Sequence, residues 1–326
     1  MAIDGKCQYC DVGHDDALVI ILAAYNPCIR LLGISSVSGN SSVKNTTENT
    51  LRVLKAAGVE GVKVYKGASK PLVKKVFHAD KYHGPSGIGG VKHMPEADYE
   101  KYFDGSCNAV NAMYRAIMES DEPISIAAIG PLTNIALLLS VYPEAASKIK
   151  TLSIMGGAIG MGNTTAAAEF NIFCDPEAAH VVLNSKLEHV VFVPLDVTST
   201  VLATEAVIKR ISNAVCNPRF AELVTGLLWF YGNTHDDIFG TKDGMALHDP
   251  VAVAYLFMRD SFTEKRIRVD VECSQGSGSG RTFCDFFKHT ELPENCWVAT
   301  SVDSNRFWDN MIDALVIASE RCCLAP

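Results

Sequence analysis

Three aspartates fall within six positions in Cys10-Asp11-Val12-Gly13-His14-Asp15-Asp16, where a strand pattern ends, a glycine permits a tight turn and a helical pattern begins. Aspartate at a helix start is ordinary, because it caps exposed amides and suits the helix macrodipole, so Asp15 or Asp16 alone reads as a cap. Asp11 is different: it closes a buried strand and crowds its charge against the other two. Concentrated carboxylates with few soft ligands nearby suit a hard cation such as calcium or magnesium. Taken alone, the segment leaves cap and cation site both open.

Further polar residues follow other apolar runs. Asn40 follows Ser35 to Gly39, Gly130-Pro131-Leu132-Thr133-Asn134 follows Ile129, and Gly156-Gly157 follows Met155. Asn163, then Ala168-Glu169-Phe170-Asn171, and finally His248-Asp249-Pro250 come later. Each has a local explanation, such as Asn for turns or Pro at the first position of a helix. Together they converge on one edge of a single expected sheet.

The elements that must position these residues alternate through the first 200 positions. Apolar runs at Arg30 to Val37, Val62 to Tyr65, Ile124 to Ile129, Thr151 to Met155 and His189 to Leu195 predict buried strands. Between them, Asp15 to Ala24, Ser42 to Ala57, Asn108 to Glu119, Leu132 to Ser140 and Pro176 to Asn184 have helical spacing. Later come helical patterns at Glu205 to Val215, Phe220 to Tyr231 and Phe307 to Ser319, and strand patterns at Ile267 to Cys273 and Cys296 to Ser301. Gly276 to Gly280 reads as a loop tip, and no low-complexity linker or internal repeat divides the chain. The expected fold is α/β: a single domain over residues 1–326, with a mostly parallel, Rossmann-like central sheet flanked by helices, C-terminal helices and a few extra strands. In such sheets ligands collect beyond the carboxyl ends of the strands, where the polar motifs fall.

Composition excludes several alternatives. Of 326 residues 48% are hydrophobic, and the formal charge of −8 comes with no Lys/Arg stripe of the kind a nucleic-acid backbone requires. The longest apolar runs, such as Ala17 to Tyr25, are too short to span a bilayer, and Met1 to Gly13 lacks a signal-peptide core, so a soluble cytoplasmic protein without membrane or nucleic-acid partners is expected. Eleven cysteines, an odd number scattered among periodic apolar segments, read as reduced structural thiols. Cys7 and Cys10 form one C-x-x-C, without the second pair a zinc ribbon needs. Gly156, Gly160 and Gly162 are formally close to a dinucleotide-binding turn, but they follow a late strand and precede Asn163-Thr164-Thr165 where a helix should open.

In order and spacing, seven motifs resemble the nucleoside hydrolases of the inosine-uridine-preferring type, and the resemblance covers nearly the whole chain. They are Cys10 to Asp16, Gly39-Asn40, His83-Gly84, Gly130 to Asn134, Met155 to Gly157, Ala168 to Asn171, and Leu247-His248-Asp249-Pro250. The resemblance implies a calcium ion held by Asp11, Asp16, Asp249 and the main-chain carbonyl of Ile129. It implies that Asp15, Asn40, Met155, Asn163, Glu169 and Asn171 surround a ribose, and that Asp249 also faces it. His83 and His248 would lie near the departing base, with Asp11 as general base and His248 as proton donor. Relatives usually form homodimers or homotetramers, and the same expectation attaches to this chain.

Cleavage of an N-glycosidic bond develops positive charge on the sugar and negative charge on the base, so carboxylates around the sugar and a donor at the base suit it. Such an acidic pocket, with no Lys or Arg in its motifs, would repel a 5′-phosphate, so the expected partner is a small nucleoside rather than a nucleotide. One departure stands out. Tyr9 occupies a position where the family pattern has Asp, two residues before Asp11 and on the same strand face, which motivates an alternative: a catalytically impaired homologue that binds ribosides or a partner. His14, His180, His189 and His289 are assigned no role, and His235 is placed near a helix expected to wall the base pocket.

Overall fold

The computed structural model describes residues 12–229 and 244–325 with their side chains, residue 80 excepted, and residues 5–10 and 230–239 through the backbone alone. Eleven strands form among these residues: β1 (Gly5–Cys10), β2 (Arg30–Ser36), β3 (Val64–Lys66), β4 (Ile124–Ala128), β5 (Ile149–Met155), β6 (Val190–Val193), β7 (Leu202–Ala203), β8 (Met245–Ala246), β9 (Phe262–Val271), β10 (Thr282–Asp285) and β11 (Cys296–Val302). Nine build one sheet in the order β10-β9-β11-β6-β5-β4-β1-β2-β3, while β7 and β8 form a separate antiparallel pair. From β11 to β3 every pairing is parallel; only β9 runs against its neighbours. The mostly parallel, helix-flanked sheet expected from the alternating pattern is present.

Strand order reverses direction at β1, with β2 and β3 added on one side and β4, β5 and β6 on the other. Such a reversal opens a crevice beyond the carboxyl ends of the strands, because the connecting helices leave to opposite faces. The loops entered from Cys10 of β1 and Ala128 of β4 therefore border that crevice.

The two faces of the sheet are both buried. Along β6, Val190 and Phe192 join an apolar cluster with the helices Ala109–Glu119, Thr133–Val141 and Pro176–Leu183, whereas Val191 and Val193 join a second with His14–Tyr25, Asp249–Tyr255 and Ser304–Arg321. This period-two division is what parallel strands covered on both sides require. Helix His14–Tyr25 is buried at every position but Ala24, which explains why it is apolar all round beyond its first turn. Ser153 on β5 donates to the carbonyl of Ala252 at 2.7 Å, seating the helix Asp249–Tyr255 on the sheet.

The differences from expectation have physical causes. Strand β9 begins at Phe262, five residues before the apolar pattern, because Thr263, Glu264, Lys265 and Arg266 pair with β11 while their side chains are mostly solvated. Strand β10, absent from the sequence reading, is an edge strand with an exposed Phe283, and Gly276–Gly280 lies in the loop joining it to β9. The helix expected from Phe220 to Tyr231 runs Pro218–Phe239, through a polar stretch that breaks its apolar spacing. Among the described residues no helix is long and apolar enough to cross a membrane. Nine described cysteines are free thiols, with Cys174 and Cys296 buried as small apolar groups; the side chains of Cys7 and Cys10 lie outside the described residues.

Candidate active site

Gly13 precedes the first turn of helix His14–Tyr25, and its N–H donates to the Asp16 carboxylate at 2.7 Å, so Asp16 closes the helix start as a cap would. The same oxygen accepts Asn40 Nδ2 at 3.2 Å, which ties the loop after β2 to the loop after β1. Asp15 points elsewhere: its Oδ2 accepts the main-chain N–H of Asp249 at 3.3 Å. Asp249 begins the helix Asp249–Tyr255, with Pro250 behind it in the first turn, where a missing N–H costs nothing. Asp15, Asp16 and Asp249 are all buried, and each offers an oxygen within 4.8 Å of the others.

Three buried like charges repel one another unless something neutralises them. Burial raises the Asp15 carboxyl above its ordinary range, although main-chain N–H groups of Asp249 and His248 partly offset this. All-oxygen, anionic and buried, this donor set fits a hard divalent cation. Sequence assigned the cation to Asp11, Asp16, Asp249 and the Ile129 carbonyl, and Asp15 to the sugar; the structure places Asp15 within the carboxylate cluster. Asp11 lies outside the described residues. The Ile129 carbonyl accepts Asn171 Nδ2 at 3.2 Å, and the same amide reaches the Met155 carbonyl at 3.1 Å, so one side chain fixes the ends of both β4 and β5.

Glu169 caps the short helix Phe170–Cys174. Its Oε1 accepts the N–H of Asn171 at 2.8 Å, and its Oε2 accepts those of Ile172 at 3.1 Å and Gly157 at 3.0 Å. Gly157 sits at φ +73, a left-handed turn that an added Cβ would jam against Thr282 at 3.0 Å. Burial pushes the Glu169 carboxyl up to about 7, against the pull of those three N–H groups. Asn163 accepts the N–H of Phe170 at 2.9 Å, holding the loop after β5 to the same helix. In the Gly130–Asn134 motif, Asn134 donates to the Ser36 carbonyl at 3.0 Å and accepts from Ala68 at 2.8 Å, a bracing role between β2 and the segment after β3.

Histidines stand on the remaining side. His248 Nδ1 meets Thr198 Oγ1 at 2.7 Å. His83 is buried at the end of the short helix Asp80–His83, and its Nδ1 accepts the main-chain N–H of His14 at 3.3 Å. Burial holds the His83 imidazole well below its ordinary range, with His14 and His248 adding to the effect. His14, given no role from sequence, is likewise lowered, to about 4, by burial.

Most of these groups line one concave pocket. Asp15, Asn40, His83, Ile129, Met155, Asn163, Glu169, Asn171, His248 and Asp249, all named from sequence, form its wall, and Asp16 stands behind Asp15 and Asp249. Ala79, Tyr82, Thr164 and Phe170 also line it and were missed; the last three adjoin a named residue, but nothing in their own type marks any of the four. Among the described lining residues there is no Lys or Arg. The His235 side chain lies outside the described residues.

Fold and pocket together define an α/β protein with an acidic cavity at the switch point of a doubly wound sheet. A profile of the inosine-uridine preferring nucleoside hydrolase family matches residues 9–309, and the chain belongs to that family. It is 40% identical over 313 residues to the inosine-uridine preferring nucleoside hydrolase of Leishmania major, covering 94% of this chain and 95% of that one. It is 39% identical over 306 residues to the pyrimidine-specific ribonucleoside hydrolase RihA of Escherichia coli O1:K1, covering 94% and 96%. The purine-preferring ribonucleoside hydrolase of Gardnerella vaginalis superposes with a TM-score of 0.87 at 29% identity, over 97% of this chain and 99% of that one. The family supports hydrolysis of ribonucleosides to ribose and base as the activity.

Proposed function

We propose that the chain hydrolyses free nucleosides and rejects nucleotides, with calcium held by Asp11, Asp16, Asp249 and the Ile129 carbonyl, and Asp15 beside them. The observation that carries this reading is the convergence of Asp15, Asp16 and Asp249 beside a cavity whose described lining has no Lys or Arg. Bound there, the cation would offset the buried negative charge, hold sugar hydroxyls and make water a better acid.

The remaining chemistry belongs to the chain. Asn40, Asn163 and Asn171 supply neutral hydrogen-bonding groups to a polyhydroxylated ring, and the carboxylates of Asp15, Asp249 and Glu169 stabilise the positive charge it develops. Asp11 takes a proton from the attacking water, whose oxygen bonds to the anomeric carbon. The glycosidic bond breaks with its electron pair passing to the base nitrogen, and His248 returns a proton there. Thr198 Oγ1, 2.7 Å from Nδ1 of His248, sets the orientation of that ring. Base preference is not carried over from relatives, since the names of those at similar identity differ in it.

Uridine and inosine offered beside their 5′-monophosphates test this. Release of ribose from the nucleosides at a rate at least 100-fold above sugar release from UMP or IMP is expected, since an unpaired phosphate dianion against these carboxylates costs about 3 kcal/mol or more. Comparable rates on both would overturn the exclusion.

A further inference from the structure

His14 is buried and does not line the cavity, yet its polar atoms are spent on the loop that carries His83. Its main-chain N–H donates to His83 Nδ1 at 3.3 Å, and its ring Nδ1 lies 3.1 Å from that same nitrogen. Its Nε2 lies 3.0 Å from the carbonyl of Gly89, at the far end of the loop. The two imidazoles stack with centroids 5.3 Å apart and planes inclined by 20°. His83 also rests directly on Gly13, where an added Cβ would fall 2.6 Å from the ring.

Left to itself this loop is a poor platform. Gly84, Gly87 and Gly90 all adopt positive φ, and no strand or helix spans Gly84–Gly90. Asn49 and Asn45 hold its middle, through the carbonyls of Ser86 at 2.8 Å and Pro85 at 3.2 Å, but neither touches the imidazole. His14 meets both the ring and, at Gly89, the loop's return, where the Gly89 N–H also donates to the His83 carbonyl at 2.9 Å. His14 is anchored in turn at the start of a helix buried along nearly its whole length.

We infer that His14 is a positioning residue, which fixes the His83 imidazole against the base side of the cavity and has no contact with substrate. The inference rests on reading His83 as a group that meets the base. A displacement of about 1 Å in such a group costs up to about 100-fold in rate, so a loosened rather than lost imidazole predicts a loss of about tenfold.

The test is steady-state hydrolysis of uridine and inosine by the full chain, with His14→Phe and His14→Gln made singly and on a His83→Ala background. Phe keeps the ring volume and removes both ring nitrogens; Gln keeps a donor and an acceptor. Expected are a fall in kcat of about tenfold for His14→Phe, retention of more than half of kcat by His14→Gln, and no further loss when His14→Phe is added to His83→Ala, because the effect passes through His83. Calcium affinity by titration calorimetry should be unchanged. Full kcat in His14→Phe, the same tenfold loss with and without His83, equal loss with Gln, or a matching fall in calcium affinity would each overturn it. A parent chain inert on every nucleoside would instead sink the functional reading beneath it.

Discussion

The Asp15 carboxylate accepts the main-chain N–H of Asp249 at 3.3 Å across 234 residues of sequence, joining the first helix of the fold to the helix seated on β5. That bond brings two acidic side chains together at the cost of burying their charge, and Asp16 adds a third. The arrangement is unfavourable without a cation and favourable with one.

Asp249→Asn separates these two states. It keeps the main-chain N–H and the helix start while removing one buried charge. In chelator the variant should melt higher than the parent by about 2–4 °C for each kcal/mol of relieved repulsion. In calcium at 100 times its Kd the parent should gain about 2.7 kcal/mol and the variant far less. Thermal melts with and without calcium check both; an equal calcium shift in the two proteins would remove Asp249 from the site.

Glu169 gives the cation-free protein a pH dependence of defined sign. Burial raises its carboxyl to about 7 from an ordinary value of 4.5, so the folded state favours the neutral form. The corresponding stability is fully present below the lower value, is lost as pH rises through about 7, and amounts to on the order of 3 kcal/mol. Asp15 is raised by burial as well and contributes in the same direction. Urea unfolding in chelator between pH 5 and pH 8, at about half-unit steps, should show stability falling with pH, and Glu169→Gln should flatten the slope without abolishing it. A slope unchanged by the substitution would contradict the shift.

At Gly13 the backbone (φ −100) is open to any residue, so Gly13→Ala acts only through its methyl group. That methyl falls 2.6 Å from His83 and 2.8 Å from Asn40 Nδ2, side-chain groups held by burial and by hydrogen bonds to His14 and Asp16. A stability loss of about 1–3 kcal/mol is expected. Displacement of His83 should also cut kcat about tenfold or more. Melting and kinetics that match the parent would show that His83 does not pack there.

Much of this was legible in the sequence because the chemistry lies at strand ends, and strand ends are marked twice: by the close of an apolar run and by a polar residue no turn requires. Asn40 was marked so, whereas Asp15, Met155, Glu169 and Asp249 were named through the family resemblance, and all five share the cavity wall. His14 was passed over because its partners are 69 and 75 residues away, a distance that no local pattern reports. Thr198 was missed for the same reason, its link to His248 spanning 50 positions. Asn171 was named as a sugar contact and lines the cavity; that its Nδ2 also reaches the carbonyls of Ile129 and Met155 is something only the meeting of β4, β5 and the following helix could reveal. Strand β9 was half hidden because an antiparallel strand with one solvated face carries charged residues that mask its start.

Tyr9 carries the rival reading of a weakened homologue. Its backbone pairs with Ser35 and Ala128, at the centre of the sheet, and its side chain lies outside the described residues. If the family's aspartate supports the cation from behind, Tyr9→Asp should raise calcium affinity or kcat by about 10- to 100-fold. Calorimetry and initial rates read this directly, and no change in either would dismiss Tyr9 as a handicap.

The most direct measurement is a reducing-sugar assay on inosine, uridine, cytidine and adenosine, run in chelator and again after calcium is restored. Ribose release from at least one nucleoside, abolished by the chelator and recovered with calcium, is the expected result. Release that persists undiminished in chelator, or riboside binding with no release under either condition, would contradict a cation-dependent hydrolase.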